Sequence, residues 1–180
     1  MATKKTAAKT KAAPAKKATK TAKVATKAAK PAPKTAASKP SKPIKSTGGT
    51  KDAPWKLTTP PGTSAFEAYR DESADPPALV VQVGKTQLRY ALSCIRDLHA
   101  MLVAHGDWMP LGGADEQKPA AEGTVEAWGR ARSNPVGGWY GLKKGLRGRF
   151  GVYLPPVLEA LGLAEVEHLP KNNRMRAKKK

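Results

Sequence analysis

The stretch ALVVQVGKTQLRYALSCIRDLHAMLVAHG runs from Ala78 to Gly106 and changes its period halfway. Two β-rich runs flank Gly84-Lys85, the pattern of a hairpin. In the second run Leu88, Tyr90 and Leu92 share one face, and Gln87 and Arg89 share the other. From Ser93 onward the spacing changes. Ile95, Leu98, Leu102 and His105 recur at helical intervals, with Ser93 as the N-cap and Gly106 as the stop. A hairpin followed directly by a helix predicts an α+β domain.

Upstream, PPGTSAFEAYRDE places Ser64 and Glu67 at capping-box spacing. It predicts a short helix near 65–72, ended by Asp75-Pro76-Pro77. Downstream, GDWMPLGGADEQKPAAEG (106–123) reads as a long polar loop, and Thr124 caps a short helix in TVEAWGRAR. The run GLKKGLRGRFGVYL (141–154) carries Leu142, Leu146 and Phe150 at i, i+4 and i+8, which predicts a packed helix with a cationic edge. Its line of Gly141, Gly145 and Gly148 is costly inside a helix, by about 1 kcal/mol for each internal glycine. PPVLEALG reads as a second helical piece, opened by Pro155-Pro156 and closed by Gly162. AEVEHL-PK-NNRMRA reads as a terminal hairpin. With Pro170-Lys171 as its turn, Glu167 faces Arg174 and Glu165 faces Arg176. The predicted architecture is thus one small α+β domain over 52–177, with two β-hairpins and several short helices. It follows a disordered basic tail over 1–51, and residues 178–180 form a basic end.

That tail holds fifteen lysines and no arginine, acid or aromatic residue. Its Ala, Thr, Pro and Ser background cannot bury enough surface to offset chain entropy. The 180-residue chain carries 33 basic and 14 acidic residues, for a net charge of +19. Residues 52–129 are acidic, with 6 bases and 11 acids, and residues 130–180 are basic, with 12 bases and 3 acids. The tail lysines Lys4, Lys5, Lys9, Lys11, Lys16, Lys17, Lys20, Lys23, Lys27, Lys30, Lys34, Lys39, Lys42 and Lys45 recur along the whole tail. This suits a polyanion rather than a compact pocket. Lysine is a point-charge donor, so little base reading is expected. The proline-free piece Ala15–Lys30 has the composition to become helical once its charge is neutralised. A second basic surface is expected on the domain, from Arg130, Arg132, Lys143, Lys144, Arg147 and Arg149 with Lys171, Arg174 and Arg176.

Catalytic chemistry finds little support. Gly84-Lys85-Thr86 ends like a Walker loop, but the first glycine would fall at Leu79, and the segment reads as a hairpin. Cys94 is the single cysteine, which excludes a disulfide within the chain. His99 and His105 are six residues apart and lie on different helix faces, so no metal site is expected. Asp115, Glu116, Glu122 and Glu126 form the main acidic cluster, read as a solvated loop or a dock for the basic tail. Trp108, Trp128, Trp139 and Tyr140 suit a core, or base stacking. No cofactor, small-molecule substrate or membrane span is expected.

The units KKA, AKPAPK and SKPSKP resemble the C-terminal tail of linker histone H1 and the lysine-, alanine- and proline-rich tails of HU-type nucleoid proteins. That resemblance is compositional, covers about the first 50 residues and implies nonspecific DNA binding, with RNA as an alternative polyanion. LEALGLAEVEHLPKNNRMRA resembles the end of a winged-helix module: helix, strand, basic wing and returning strand. The pattern PWKLTTPPGTSAFEAYRDE, HGDWMPLG, GTVEAWGR and NPVGGWYGLKKGLRGRFG resembles a small bacterial domain family of unassigned function. It implies a bacterial cytoplasmic setting and transfers no catalytic residue. The expected function is that of a nucleoid-associated architectural protein. Two alternatives remain: an RNA- or ribosome-associated protein, and an interaction or enzymatic domain tethered to nucleic acid by the tail.

Overall fold

A computed structural model describes residues 48–147 and 149–179. The tail lysines Lys4 to Lys45 and the Ala15–Lys30 piece lie outside the described residues. Four strands form an antiparallel meander in the order β1 (Trp55–Thr58), β2 (Ala65–Asp71), β3 (Ala78–Val83) and β4 (Thr86–Ala91). Then follow α1 (Cys94–His105), the two-residue strand β5 (Met109–Pro110), the single-turn α2 (Val125–Trp128) and α3 (Phe150–Ala160). Strands β6 (Ala164–Val166) and β7 (Arg174–Ala177) close the domain. A second sheet has the order β5-β7-β6. The result is a small mixed domain.

Alternation decides which face of the meander is buried. Trp55 and Leu57, Phe66 and Ala68, Leu79 and Val81, and Leu88 and Tyr90 come from successive strands and enter one core. Their register aligns them: Trp55 pairs with Ala68, Ala68 with Val81, and Val81 with Leu88. Leu98 and Leu102 of α1 and Leu154, Val157 and Leu158 of α3 join the same core, with Met175 from β7. Both expected hairpins form. Ala164–Val166 pairs with Met175–Ala177 in the anticipated register, and Glu165 lies opposite Arg176. The Glu167 N–H donates to the Arg174 carbonyl at 2.9 Å, one rung further on.

Four local readings need correction. The capping-box stretch is not a helix but β2. Phe66 and Ala68 point inward at period two, and the strand pairs with a neighbour on each side, β1 and β3. Two ladders satisfy its backbone where one isolated turn would not. Ser93 stands at the N-cap of α1 with αR backbone and no capping side-chain bond. The polar loop 106–123 contains β5, and it buries Met109 and Leu111.

The fourth correction concerns 141–154. Among the described residues of this stretch no helix starts before Phe150, and Leu142 is 39% exposed. Gly141 instead makes a bridge to Tyr90, with Ala91 N–H donating to Tyr140 O and Leu142 N–H donating to Arg89 O, both at 2.9 Å. The segment therefore continues the sheet for one rung along β4. Helix α3 then runs through Pro155-Pro156 rather than restarting there. An interior proline removes an i→i−4 donor and costs about 3 kcal/mol. Burial of Phe150, Leu154, Val157 and Leu158 offsets that cost. The helix ends in a Schellman arrangement, with Gly162 N–H bonded to Glu159 O (2.8 Å) and Leu163 N–H to Leu158 O (2.9 Å). The helix, strand, wing and strand of the winged-helix resemblance are present in order. However, α3 buries eight of its eleven residues, so it has no free face for a DNA groove.

Two substitutions test this core assignment. Leu158→Ala should cost about 2–5 kcal/mol in urea denaturation. Leu142→Ala should change stability by no more than about 0.5 kcal/mol, because the leucine is not part of a packed helical stripe. A large loss for Leu142→Ala would restore the helical reading.

Candidate nucleic-acid interface

The cations of the last third do not form one lattice. Arg130, on the turn after α2, points inward. Its Nε donates to Glu126 Oε1 at 2.7 Å, and its Nη1 donates to the carbonyls of Lys118 (2.8 Å) and Asp115 (3.2 Å). Nη2 donates to the Ala114 carbonyl. Glu126 is 0% exposed, and its second oxygen accepts from the Gly151 N–H at 2.6 Å. Burial pushes the Glu126 carboxyl up, while the Gly151 N–H and Arg130 act against burial. Gly151 is required here by close approach, because a Cβ on it would sit 2.1 Å from the Leu111 carbonyl oxygen.

Arg147 and Arg149 follow the same pattern. Arg149 Nε donates to Asp115 Oδ1 at 2.6 Å. Arg147 lies 3.7 Å from Glu116, and its guanidinium sits 4.8 Å from the Trp139 ring centre. Arg130 is 4.3 Å from the same ring, so Trp139 has two cation contacts. The Glu116 carboxylate also accepts from two backbone donors, Gly145 N–H (3.0 Å) and Arg147 N–H (3.2 Å). The Lys143–Leu146 turn that presents them requires φ +82° at Gly145, a conformation open to glycine at little cost. Three members of the acidic cluster, Asp115, Glu116 and Glu126, are therefore engaged by the domain itself. Glu122 is exposed.

The wing behaves similarly. Arg174 pairs with Glu167 and Arg176 with Glu165, each at 2.6 Å. Both guanidiniums lie near Trp108, at 5.5 and 4.6 Å from its ring centre. Among the described residues, every ion pair uses an arginine or His168 as its cation, and none uses a lysine. Arg132, Lys143, Lys144 and Lys171 are exposed and make no ion pair among the described residues.

Two of the free lysines converge on one feature. A groove of about 370 Å³ is lined by Lys85, Thr86, Gln87, Arg89, Lys143 and Leu146. Lys85 was legible only as a turn residue. Its place beside Lys143 follows from the rung between β4 and 140–142, which no local pattern signals. The remaining chemistry is sparse. Cys94 is buried, which drives its thiol strongly upward, and the Asp97 charge adds to this. Tyr140 donates to Asp97 at 3.1 Å inside the core. Trp128, Tyr140 and Phe150 pack as one aromatic cluster. Among the described residues, no group of three or more His, Cys, Asp or Glu side chains is placed to hold a metal. No described helix is long and apolar enough to cross a membrane.

The chain belongs to a family of unknown function, DUF6855, whose model matches residues 47–178. No curated protein and no solved structure matches it.

Two measurements probe this electrostatic frame. Glu126→Gln leaves the Arg130 charge buried against a neutral amide, so unfolding free energy should fall by about 3–5 kcal/mol in denaturant titration. A loss below about 1 kcal/mol would show that the carbonyls alone hold Arg130. Hydrogen bonding and charge from Arg149, the backbone bond from Gly145 and hydrogen bonding from Arg174 hold Asp115, Glu116 and Glu167, respectively, below the ordinary carboxylate range. Depressed folded values mean that these groups stabilise fully above their unfolded values, from about pH 5 upward, and that the contribution is lost as pH falls through the folded values. The protection of the amides at 113–118 and 144–147, taken relative to the intrinsic exchange rate at each pH, should therefore fall between about pH 5 and pH 2. Unchanged protection across that range would contradict the assignment.

Proposed function

We propose that this member of the DUF6855 family is a nonspecific nucleic-acid-binding, architectural protein of the nucleoid type, acting by charge neutralisation without catalysis or a cofactor. The observation that carries this reading is the tail: fifteen lysines in 51 residues with no acid among them. Each lysine that neutralises a phosphate releases counterions, so affinity should be high at low salt and fall steeply as salt rises. The unpaired lysines of the domain support a second contact. Lys85 and Lys143 line one groove, Lys144 is exposed near it, and Lys171 is exposed on the wing. Two contact surfaces on one chain allow it to bridge duplexes. Duplex DNA in a bacterial cytoplasm is the partner this reading names, and structured RNA is tested beside it.

A second reading draws on a specific observation. Arg130, Arg147, Arg149, Arg174 and Arg176 are all held by acids of the domain. That leaves the domain less free charge than its sequence suggests and favours a tail that tethers a domain with another task.

The salt dependence separates the two. Full-length protein and a 47–180 fragment are titrated with duplex DNA and with a structured RNA between about 50 and 200 mM salt. The fragment keeps Gly48 and Gly49, which pack against Trp55. The architectural reading expects a full-length slope steeper by several units of log K per log salt, and weak but measurable binding by the fragment. It also expects fragment binding to be lost in a Lys85→Ala, Lys143→Ala, Lys144→Ala variant. No binding by the fragment at low salt selects the tether. Equal slopes for the two proteins remove the tail-driven mechanism altogether.

A further inference from the structure

The Glu116 carboxylate occupies a site that does not need to be a carboxylate site. Gly145 N–H and Arg147 N–H converge on its two oxygens at 3.0 and 3.2 Å, and the Arg147 guanidinium stands behind them at 3.7 Å. Backbone N–H groups two residues apart, presented by a turn with one left-handed residue, form a concavity that binds anions in general, while the Leu146 N–H between them bonds back to the Lys143 carbonyl at 3.0 Å. Lys143 and Lys144 sit on the same turn, exposed. Among the described residues one donor is left over, because the Nε–H of Arg147 is buried and meets no acceptor there. A carboxylate brings two oxygens to this place; a phosphate group brings more.

The way Glu116 arrives supports exchange. Its neighbours are fixed through backbone carbonyls: Arg130 holds those of Ala114, Asp115 and Lys118, on either side of Glu116. The Glu116 side chain can thus rotate out while the loop backbone stays in place. Among the described residues, only the turn and Arg147 hold its carboxylate.

We propose that the 143–147 turn is a phosphate cradle and that Glu116 is its internal occupant, displaced when a phosphate group enters. The source of the phosphate, as a polynucleotide backbone, rests on the function proposed above; the cradle itself does not. The tethered carboxylate acts as a competitor at high effective concentration. Native protein therefore binds phosphate weakly at this turn, and neutralising Glu116 unmasks it.

The test uses the full chain and amide NMR, following Gly145 and Arg147. Inorganic phosphate and a short DNA duplex are the two probes, each at constant ionic strength with chloride as control. Wild type is compared with Glu116→Gln and with Glu116→Asp, which keeps the charge and shortens the reach. In Glu116→Gln both amides should shift saturably with phosphate, at concentrations at least about tenfold lower than in wild type. Glu116→Asp should fall between them, and it keeps the experiment decisive if Glu116→Gln does not fold. Amides that ignore phosphate in a folded variant overturn the proposal and leave Glu116 as a strut for the turn. Phosphate binding at these amides without duplex binding by the full chain keeps the cradle, names free phosphate as its ligand and removes the nucleic-acid reading. Duplex binding with silent Gly145 and Arg147 amides keeps the nucleic-acid reading and removes the cradle.

Discussion

The buried pair of Glu126 and Arg130 organises half of this domain. A carboxylate with no exposure to water must find charge and hydrogen bonds inside the protein. It finds both, the charge in Arg130 and a backbone donor in Gly151 at the start of α3. Arg130 then uses its remaining donors on three carbonyls of the 114–118 segment. A loop rich in Gly and Pro would otherwise leave those carbonyls to solvent. Here one guanidinium replaces the secondary structure that the loop lacks. The same pair sets the distance between Leu111 and Gly151, where no side chain fits. It also presents Asp115 and Glu116 to Arg149 and Arg147. The geometry of the candidate site is therefore a consequence of the interior.

How much of this could be read from the chain depended on the range of the interaction. The β3–β4 hairpin was legible because a period of two and a Gly-Lys turn lie next to each other. The β6–β7 register was legible because Glu165 and Glu167 meet Arg176 and Arg174 across one short turn. The helix α1 and its stop at Gly106 were equally local. The misreadings share a cause. Ser64 and Glu67 carry a helix-start signature, but partners on both sides of the segment override a propensity of this size. Leu142, Leu146 and Phe150 are spaced like a helix by coincidence. Leu142 lies along β4, Leu146 in a turn and Phe150 at the first position of α3.

The candidate site was legible in its charge and illegible in its pairing. Arg147 and Arg149 meet acids 31 and 34 positions away, across a loop that shows no pattern of its own. Counting cations in 130–149 therefore overstated the charge available to a partner. Lys85 shows the opposite error, since a turn residue 58 positions from Lys143 shares its groove. The acidic cluster was visible, but its role as the internal counterpart of the arginines required the fold.

The division of labour between the two basic side chains has a chemical consequence. Guanidinium groups form every described ion pair of the domain but that of His168 with Glu159, while the exposed cations are more often primary amines, as are all fifteen in the tail. Acylation acts on lysine and leaves arginine untouched. An amine-directed enzyme or reagent can therefore remove the lysine charges of the surface, leaving exposed arginines such as Arg132, without breaking one of these internal contacts. Under the function proposed above, binding strength would rest on amines and folding on guanidinium groups, so that each could be changed without the other.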